Sequence, residues 1–411
     1  MSAAAALHLF AAFGLEIEYM VVDRASLDVR PLVDRLFRDF AGRQVSDVDN
    51  GAIAWSNELA AHVLELKTNG PTADLQRAAA DFHRNVELIN GLLARHGAML
   101  LPGGAHPWMD PGREMVLWPH DAHEIYDLYN TIFDCRGHGW ANLQSAHLNL
   151  PFHGDAEFAR LHTAIRLLLP LMPALTASSP ILDGRPTGWL DSRLDVYLHN
   201  QDRLPALTGR LIPEPVTSEA EYEERIFAPI MAAIAPYDPA GIMDRYFLNA
   251  RGAIARFDRG AIEIRILDTQ ECPLADCSIA RLLIECLRSL AAGEWSDPGA
   301  QGRVDTERLR RLFLAVIRQG GETMVEDRDY LRLFGFNERE MPACAVWAGL
   351  FDRCAGAIDA GSRAALAVIL DQGCLASRIL RALDGDSRRE RLQAVYRRLA
   401  RSLATNTQFV P

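Results

Sequence analysis

Cysteine is scarce in this chain of 411 residues: there are seven, an odd number, and they are dispersed. That usage excludes a disulfide framework of the secreted kind and fits reduced thiols, hence a cytoplasmic protein. Long apolar runs are missing too. The most apolar stretch, Leu167 to Ala177, is 11 residues long and contains Pro170 and Pro173, whereas a membrane span takes ~20. The N-terminal MSAAAALHLFAAFG has no basic region before its apolar run and leads into a strand-like pattern, so it reads as part of the fold rather than a cleaved leader. Positive charge is in deficit. With 54 acidic and 43 basic side chains the net charge is −11, and a general nucleic-acid binder needs a basic surface to displace counterions. Neither nucleic acid nor a membrane is an expected partner. The chain also lacks a repeat of fixed period, a Walker motif GxxxxGK[ST], a kinase-like glycine loop and a Rossmann fingerprint.

What is present has a folded composition, 49% hydrophobic and 24% charged. Four segments alternate with period two. Phe13 to Asp23 puts Phe13, Leu15, Ile17, Tyr19 and Val21 on one face and Glu16 and Glu18 on the other. His62 to Thr68 carries Glu65, with Glu58 seven residues earlier. Leu143 to Leu150 sets Ser145, His147 and Asn149 against an apolar face, and Ala261 to Asp268 sets Glu263 and Arg265 against three isoleucines. Ala98 to Leu101 reads as a fifth, short buried strand. A helix opens after Pro71-Thr72 with apolar residues at Leu75, Ala79, Phe82, Val86, Ile89 and Leu93, and Gly97 stops it. A second helix is expected from about Asp155 to Leu175. Residues 105–125 read as a functional loop or lid, 178–215 as mostly irregular, and everything after Leu274 as helical, with WSDPGAQG (295–302) as a linker. The division expected is a catalytic domain over 1–295 and a helical C-terminal region over 296–411 packed on it. The terminal arginines, Arg388 to Arg401, read as a solvated or interface face.

Taken singly, each polar strand face reads as wet. Taken together in one sheet, five carboxylate or imidazole groups and one guanidinium converge. Carboxylates that close raise one another's pKa unless cations are present. Hard divalent ions answer this: Mg²⁺ takes oxygen ligands and keeps positions for water and phosphate, and one histidine among carboxylates also suits Mn²⁺. Arg265 would then face the ions across space for an anion. Such a site suits phosphoryl transfer, with metals holding ATP phosphates in place of a glycine loop.

The motifs GLEIEY, ELAAHVLELKT, GGAHPW, SAHLNL and GAIEIRILDTQECP, in that order over about residues 10–295, resemble the glutamate–cysteine ligase family, and within it the branch of carboxylate–amine ligases. The resemblance implies an α+β, glutamine-synthetase-like fold with a curved, mainly antiparallel sheet backed by helices. It places metal ligands at Glu16, Glu18, Glu58, Glu65, His147 and Glu263, which would hold two or three Mg²⁺ or Mn²⁺ ions. It puts Arg265, with Glu263, at the chemistry, and Arg251, Arg256 and Asn149 with Arg265 among the groups that bind substrate and ATP. The implied activity is ATP-dependent, ADP-forming synthesis of an amide, γ-glutamyl in the family, through an acyl phosphate. Expected partners are small molecules: ATP, an acidic amino acid such as glutamate, and an amine, with self-association left open. A metal-dependent small-molecule kinase and a non-catalytic member of the same fold are the competing readings. All six ligand positions are filled, which weighs against the last.

Overall fold

In the computed structural model, which describes residues 6–411, twelve strands and a set of helices follow the chain. The first five residues, the start of the apolar run judged not to be a leader, lie outside the described residues. The strands are β1 (Gly14–Asp23), β2 (Asp47–Asn50), β3 (Ile53–Asn57), β4 (Val63–Thr68), β5 (Ala98–Leu101), β6 (Ser145–Pro151), a two-residue hairpin of β7 (Ile181–Leu182) with β8 (Arg185–Pro186), β9 (Ala253–Arg256), β10 (Ala261–Asp268), and a second two-residue pair of β11 (Met324–Val325) with β12 (Met341–Pro342). All but these two short pairs form one antiparallel sheet in the order β2-β3-β4-β1-β6-β10-β9, with β5 paired to the last four residues of β1. The alternating segments are therefore strands of one sheet, as expected; β2, β3 and β9 extend it beyond what the alternation marks.

The two faces differ as the sequence dictates. Leu15, Ile17, Tyr19 and Val21 of β1, Leu64 and Leu66 of β4, Leu148 and Leu150 of β6 and Ile262, Ile264 and Ile266 of β10 are buried on one side. Against them pack helices Leu75–Leu93, Gly154–Leu168 and Pro273–Ala292, all contributing to the same core. The first shows Phe82, Val86, Ile89 and Leu93 at the spacing of an amphipathic helix and is capped by Asp74, whose carboxylate accepts from the Arg77 N–H. A 3₁₀ turn, Ala94–His96, continues it to Gly97, held at φ 66°, a conformation glycine adopts without strain.

Helices beyond residue 296 share this core. Tyr330 donates to the Leu167 carbonyl at 2.6 Å and Trp347 to the Leu171 carbonyl at 2.8 Å. The terminal helix Arg389–Thr405 presents the expected face, exposed at Arg391, Arg398 and Arg401 and in contact elsewhere. Arg389 stacks on Trp108 and pairs with Asp28, and Arg397 donates to the carbonyls of Arg24 and Ala25. These two arginines clamp the turn that follows β1. Residues 105–119 differ from a lid. Ala105, Met109 and Trp118 are buried, and the Ala61 and Trp118 N–H groups bond to Val116 and Leu59. Among the described residues no helix is long and apolar enough to cross a membrane.

Candidate active site

The face of the sheet away from the helices lines a cavity of about 780 Å³. Register decides who meets there, because residues directly opposite in an antiparallel pair point to the same side. Glu16 stands opposite His147 on β6 and Lys67 on β4; Glu18 stands opposite Glu65, and Glu65 opposite Ser56. Glu263 stands opposite Asn149. A β-bulge between Ile264 and Leu267 then inserts one residue into β10. The bulge shifts the alternation, so that Asp268, opposite Ser145, joins the site side instead of Leu267.

Two compact donor groups result: Glu16, His147 and Glu263, and Glu18, Glu65 and His147, with the ligand atoms of each within 4.8 Å of one another. Nδ1 of His147 lies 2.8 Å from a Glu16 oxygen and 3.7 Å from one of Glu263, while Nε2 lies 4.0 Å from Glu18. A neutral imidazole offers one lone pair and one N–H. His147 can therefore ligate in one group while its other nitrogen donates to a carboxylate of the second. Glu58, expected as a sixth ligand, lines the cavity but belongs to neither group.

The electrostatics show a site crowded with negative charge. Burial pushes the Glu16 carboxyl up, but the hydrogen bond and charge of His147 outweigh it and hold it at about 2. Burial opposes the His147 imidazolium, yet Glu16, with Glu263 and Glu18 behind it, raises it to about 9. Burial and then the Glu16 charge push Glu65 up to about 7. Burial raises Glu18 and, joined by the charges of Glu18, Glu65 and Glu16, raises Glu58 well above the carboxylate range. Hydrogen bonds orient these groups: the Ser145 N–H donates to Glu18 at 2.7 Å, Ser56 Oγ to Glu65 at 2.6 Å, and Asn149 Nδ2 to Glu16 at 3.0 Å. Asn149 is thus placed behind Glu16 and does not line the cavity.

Cations face the carboxylates. Arg265 lines the cavity, donates through Nη2 to Glu263, and leaves its buried Nε without a partner among the described residues. Arg256 also lines it, paired with Asp258 and 4.0 Å from Glu263. Arg251 does not. Its guanidinium is buried against Glu214, at 2.7 Å through Nη2, and against the carbonyls of Ala206 and Leu207. The resemblance places it among the substrate-binding groups; in this structure it is committed to an ion pair outside the cavity.

Sequence reasoning passed over Arg193. It sits on the short helix Ser192–Tyr197, is 2% exposed, lines the cavity, and is held by Asp268. Its Nη2 has no partner among the described residues. Asp268 in turn accepts from the Ser178 N–H and the Ser179 hydroxyl, both at 2.8 Å. The available signal was Ser178-Ser179 followed by a capped turn of helix within a segment otherwise read as irregular. Tyr126, Tyr129, Trp140, Tyr197, Tyr246 and Phe247 complete the wall. The wall near residues 105–125 therefore comes from the next helix, His123–Phe133, and from Trp140.

The profile of Glutamate-cysteine ligase family 2 (GCS2) matches residues 12–398. The chain belongs to that family. An uncharacterized protein of Archaeoglobus fulgidus is 33% identical over 276 residues, 67% of this chain and 74% of its own length. A Rubrobacter xylanophilus protein that carries the provisional name glutamate–cysteine ligase 2-3 is 27% identical over 45% of this chain; the match spans 47% of that relative, about half its length. Among solved structures, the glutamate–cysteine ligase of Francisella tularensis in complex with AMP superimposes with a TM-score of 0.59 at 12% identity, over 96% of this chain and 89% of that one. That likeness establishes the fold of this member of the family, glutamine-synthetase-like with its antiparallel sheet and helices.

Proposed function

We propose that this protein is an ATP-dependent, ADP-forming ligase that joins a carboxylate, the side chain of glutamate or a similar acid, to an amine. The observation that carries the reading is the pair of carboxylate–imidazole groups facing Arg265 and Arg193 across one cavity. The donor set fits hard divalent ions: carboxylate oxygens with one imidazole, crowded and buried enough that the Glu65 carboxyl is pushed up to about 7 by burial and the Glu16 charge. Glu16, Glu18, Glu65, His147 and Glu263 would hold the ions, with Glu58 at their flank. When bound, Mg²⁺ or Mn²⁺ would neutralise the triphosphate and the charge on the transferred group.

This chain's own side chains do the rest. Arg265, aimed by Glu263, binds the acceptor carboxylate with its free donors and stabilises the oxygens of the phosphoryl group as it moves. Arg193, fixed by Asp268, offers a second guanidinium donor to an anionic group of the substrate. The carboxylate oxygen bonds to the γ-phosphorus as the bond to the β–γ bridging oxygen breaks, releasing ADP. The amine nitrogen then attacks the acyl carbon, the carbon–oxygen bond to phosphate breaks, and the nitrogen gives up a proton to a base. The aromatic wall excludes water from the acyl phosphate. In a screen of ATP, Mg²⁺ and glutamate against a panel of amines, ADP release should depend on the amine and mass detection should find the matching amide. Hydroxylamine should trap the activated acid as its hydroxamate. ADP release with no amide and no hydroxamate from any acid sinks the ligase reading.

A further inference from the structure

Lysine occurs once in this chain. Of the 43 lysine and arginine side chains 42 are arginine, and the lone lysine, Lys67, lines the candidate site. Its ammonium is gripped from three strands. Nζ donates to Ser56 Oγ of β3 at 2.8 Å and lies 3.2 Å from Glu65 of β4 and 3.7 Å from Asp47 of β2. The oxygen of Glu65 that meets the ammonium is the one that also accepts from Ser56, which leaves the other for the group with Glu18 and His147.

A guanidinium delivers its donors in a planar fork suited to one carboxylate or phosphate, whereas an ammonium is a compact charge that gathers oxygens from several directions, as a metal ion does. We propose that Lys67 is a built-in cation of the metal site: it neutralises the Glu65–Asp47 flank in place of a divalent ion, so the protein takes two ions and not three. The two donor groups, with Glu58 outside both, give the same count. Lys67 is a positioning residue here, acting on the ions through Glu65. The inference rests on the metal-dependent reading above, and its test separates the two.

Mn²⁺ is titrated into the full-length protein and the free ion counted by electron paramagnetic resonance. Wild type should bind two per chain, and Lys67→Met, which keeps length and removes charge, should bind a third. Two ions in both proteins, or three in wild type, overturns the role of Lys67 alone. No ion bound by wild type overturns the metal-dependent reading itself. Should Lys67→Met not fold, wild type grown with [ε-¹³C]lysine gives one side-chain cross-peak, since there is one lysine. That peak should keep the shift of a charged lysine through loading with Mg²⁺ and broaden beyond detection with Mn²⁺. A peak that stays sharp with Mn²⁺ bound, or moves to the neutral-amine position with Mg²⁺, overturns the proposal.

Discussion

Glu16 and His147 face each other across the β1–β6 ladder with an oxygen and Nδ1 2.8 Å apart, and each holds the other in its charged form. Glu65, two residues along β4 from that pair's neighbour Lys67, is in the opposite condition: its charged form is disfavoured. The two carboxylates should respond oppositely to neutralisation.

In metal-free protein at pH 8, Glu16→Gln should melt lower, because it removes the partner of the His147 imidazolium. Glu65→Gln should melt higher, because its carbonyl oxygen still accepts from Ser56 while the repelling charge is gone. Shifts of roughly 1–4 °C in either direction suffice to decide, read by circular dichroism with a chelator present. Both variants should lose turnover. Equal melting shifts of the same sign would show that the two groups share one environment.

The raised Glu65 pKa makes metal binding depend on pH. Folded near 7 and unfolded near 4.5, this carboxyl contributes stability that is full below about 4.5 and lost as pH rises through 7. A divalent ion needs it ionised. Mn²⁺ affinity should therefore rise from pH 6 to pH 8, by up to about tenfold per unit below 7 for each proton displaced. Calorimetry in buffers of different ionisation heat should register proton release at pH 6.5. A heat independent of buffer would show that Glu65 is already ionised in the free protein.

Asp268 should set substrate affinity without touching the metals. Its carboxylate fixes Arg193 and is itself held by Ser178 and Ser179. Asp268→Asn keeps the shape and removes the charge that aims the guanidinium. The KM for the acidic substrate should rise tenfold or more, and Mn²⁺ affinity should move less than about twofold. An unchanged KM would make Arg193 a packing group.

The sheet was legible where large apolar residues alternate with charge. Glu16, Glu18, His147 and Glu263 follow from period two once their strands share a sheet. Strand Asp47–Asn50 offers too few apolar residues, and Ile53–Asn57 and Ala253–Arg256 too short a run, to announce themselves. Asp268 was hidden for another reason: the bulge after Ile264 reverses the alternation that would have placed Leu267 on the site face. The pairing of Arg251 was not legible, because a basic residue before a strand looks the same in sequence whether it faces the cavity or Glu214. Pairing across 37 residues is decided by tertiary packing.

Arg251 should accordingly matter for stability alone. Removing one partner of a buried pair leaves the other charge uncompensated. Arg251→Met should cost about 2–4 kcal/mol in denaturant unfolding, the lower end reflecting a Glu214 that is partly exposed. At a temperature where the variant is folded, its KM for ATP and for the acidic substrate should match wild type. A selective rise in either KM would return Arg251 to the binding groups.

Arg265 is where shape and charge separate. Nη2 is taken by Glu263, and the buried Nε has no partner among the described residues, so the planar group is fixed on one side and open on the other. Burial works against its charge, but Glu263 more than offsets this and keeps the guanidinium protonated. Arg265→Lys keeps a positive charge near Glu263 and loses the fork that can hold one carboxylate and reach a moving phosphoryl oxygen together. The rate should fall roughly tenfold to a thousandfold, about 1.4–4 kcal/mol of transition-state stabilisation. ATP affinity, measured by direct titration with Mg²⁺, should change far less, since the phosphates answer chiefly to the ions. Steady-state kinetics with saturating ATP then assigns the loss to kcat. If the lysine variant turns over like wild type, or loses ATP affinity and nothing else, Arg265 does not act at the acceptor.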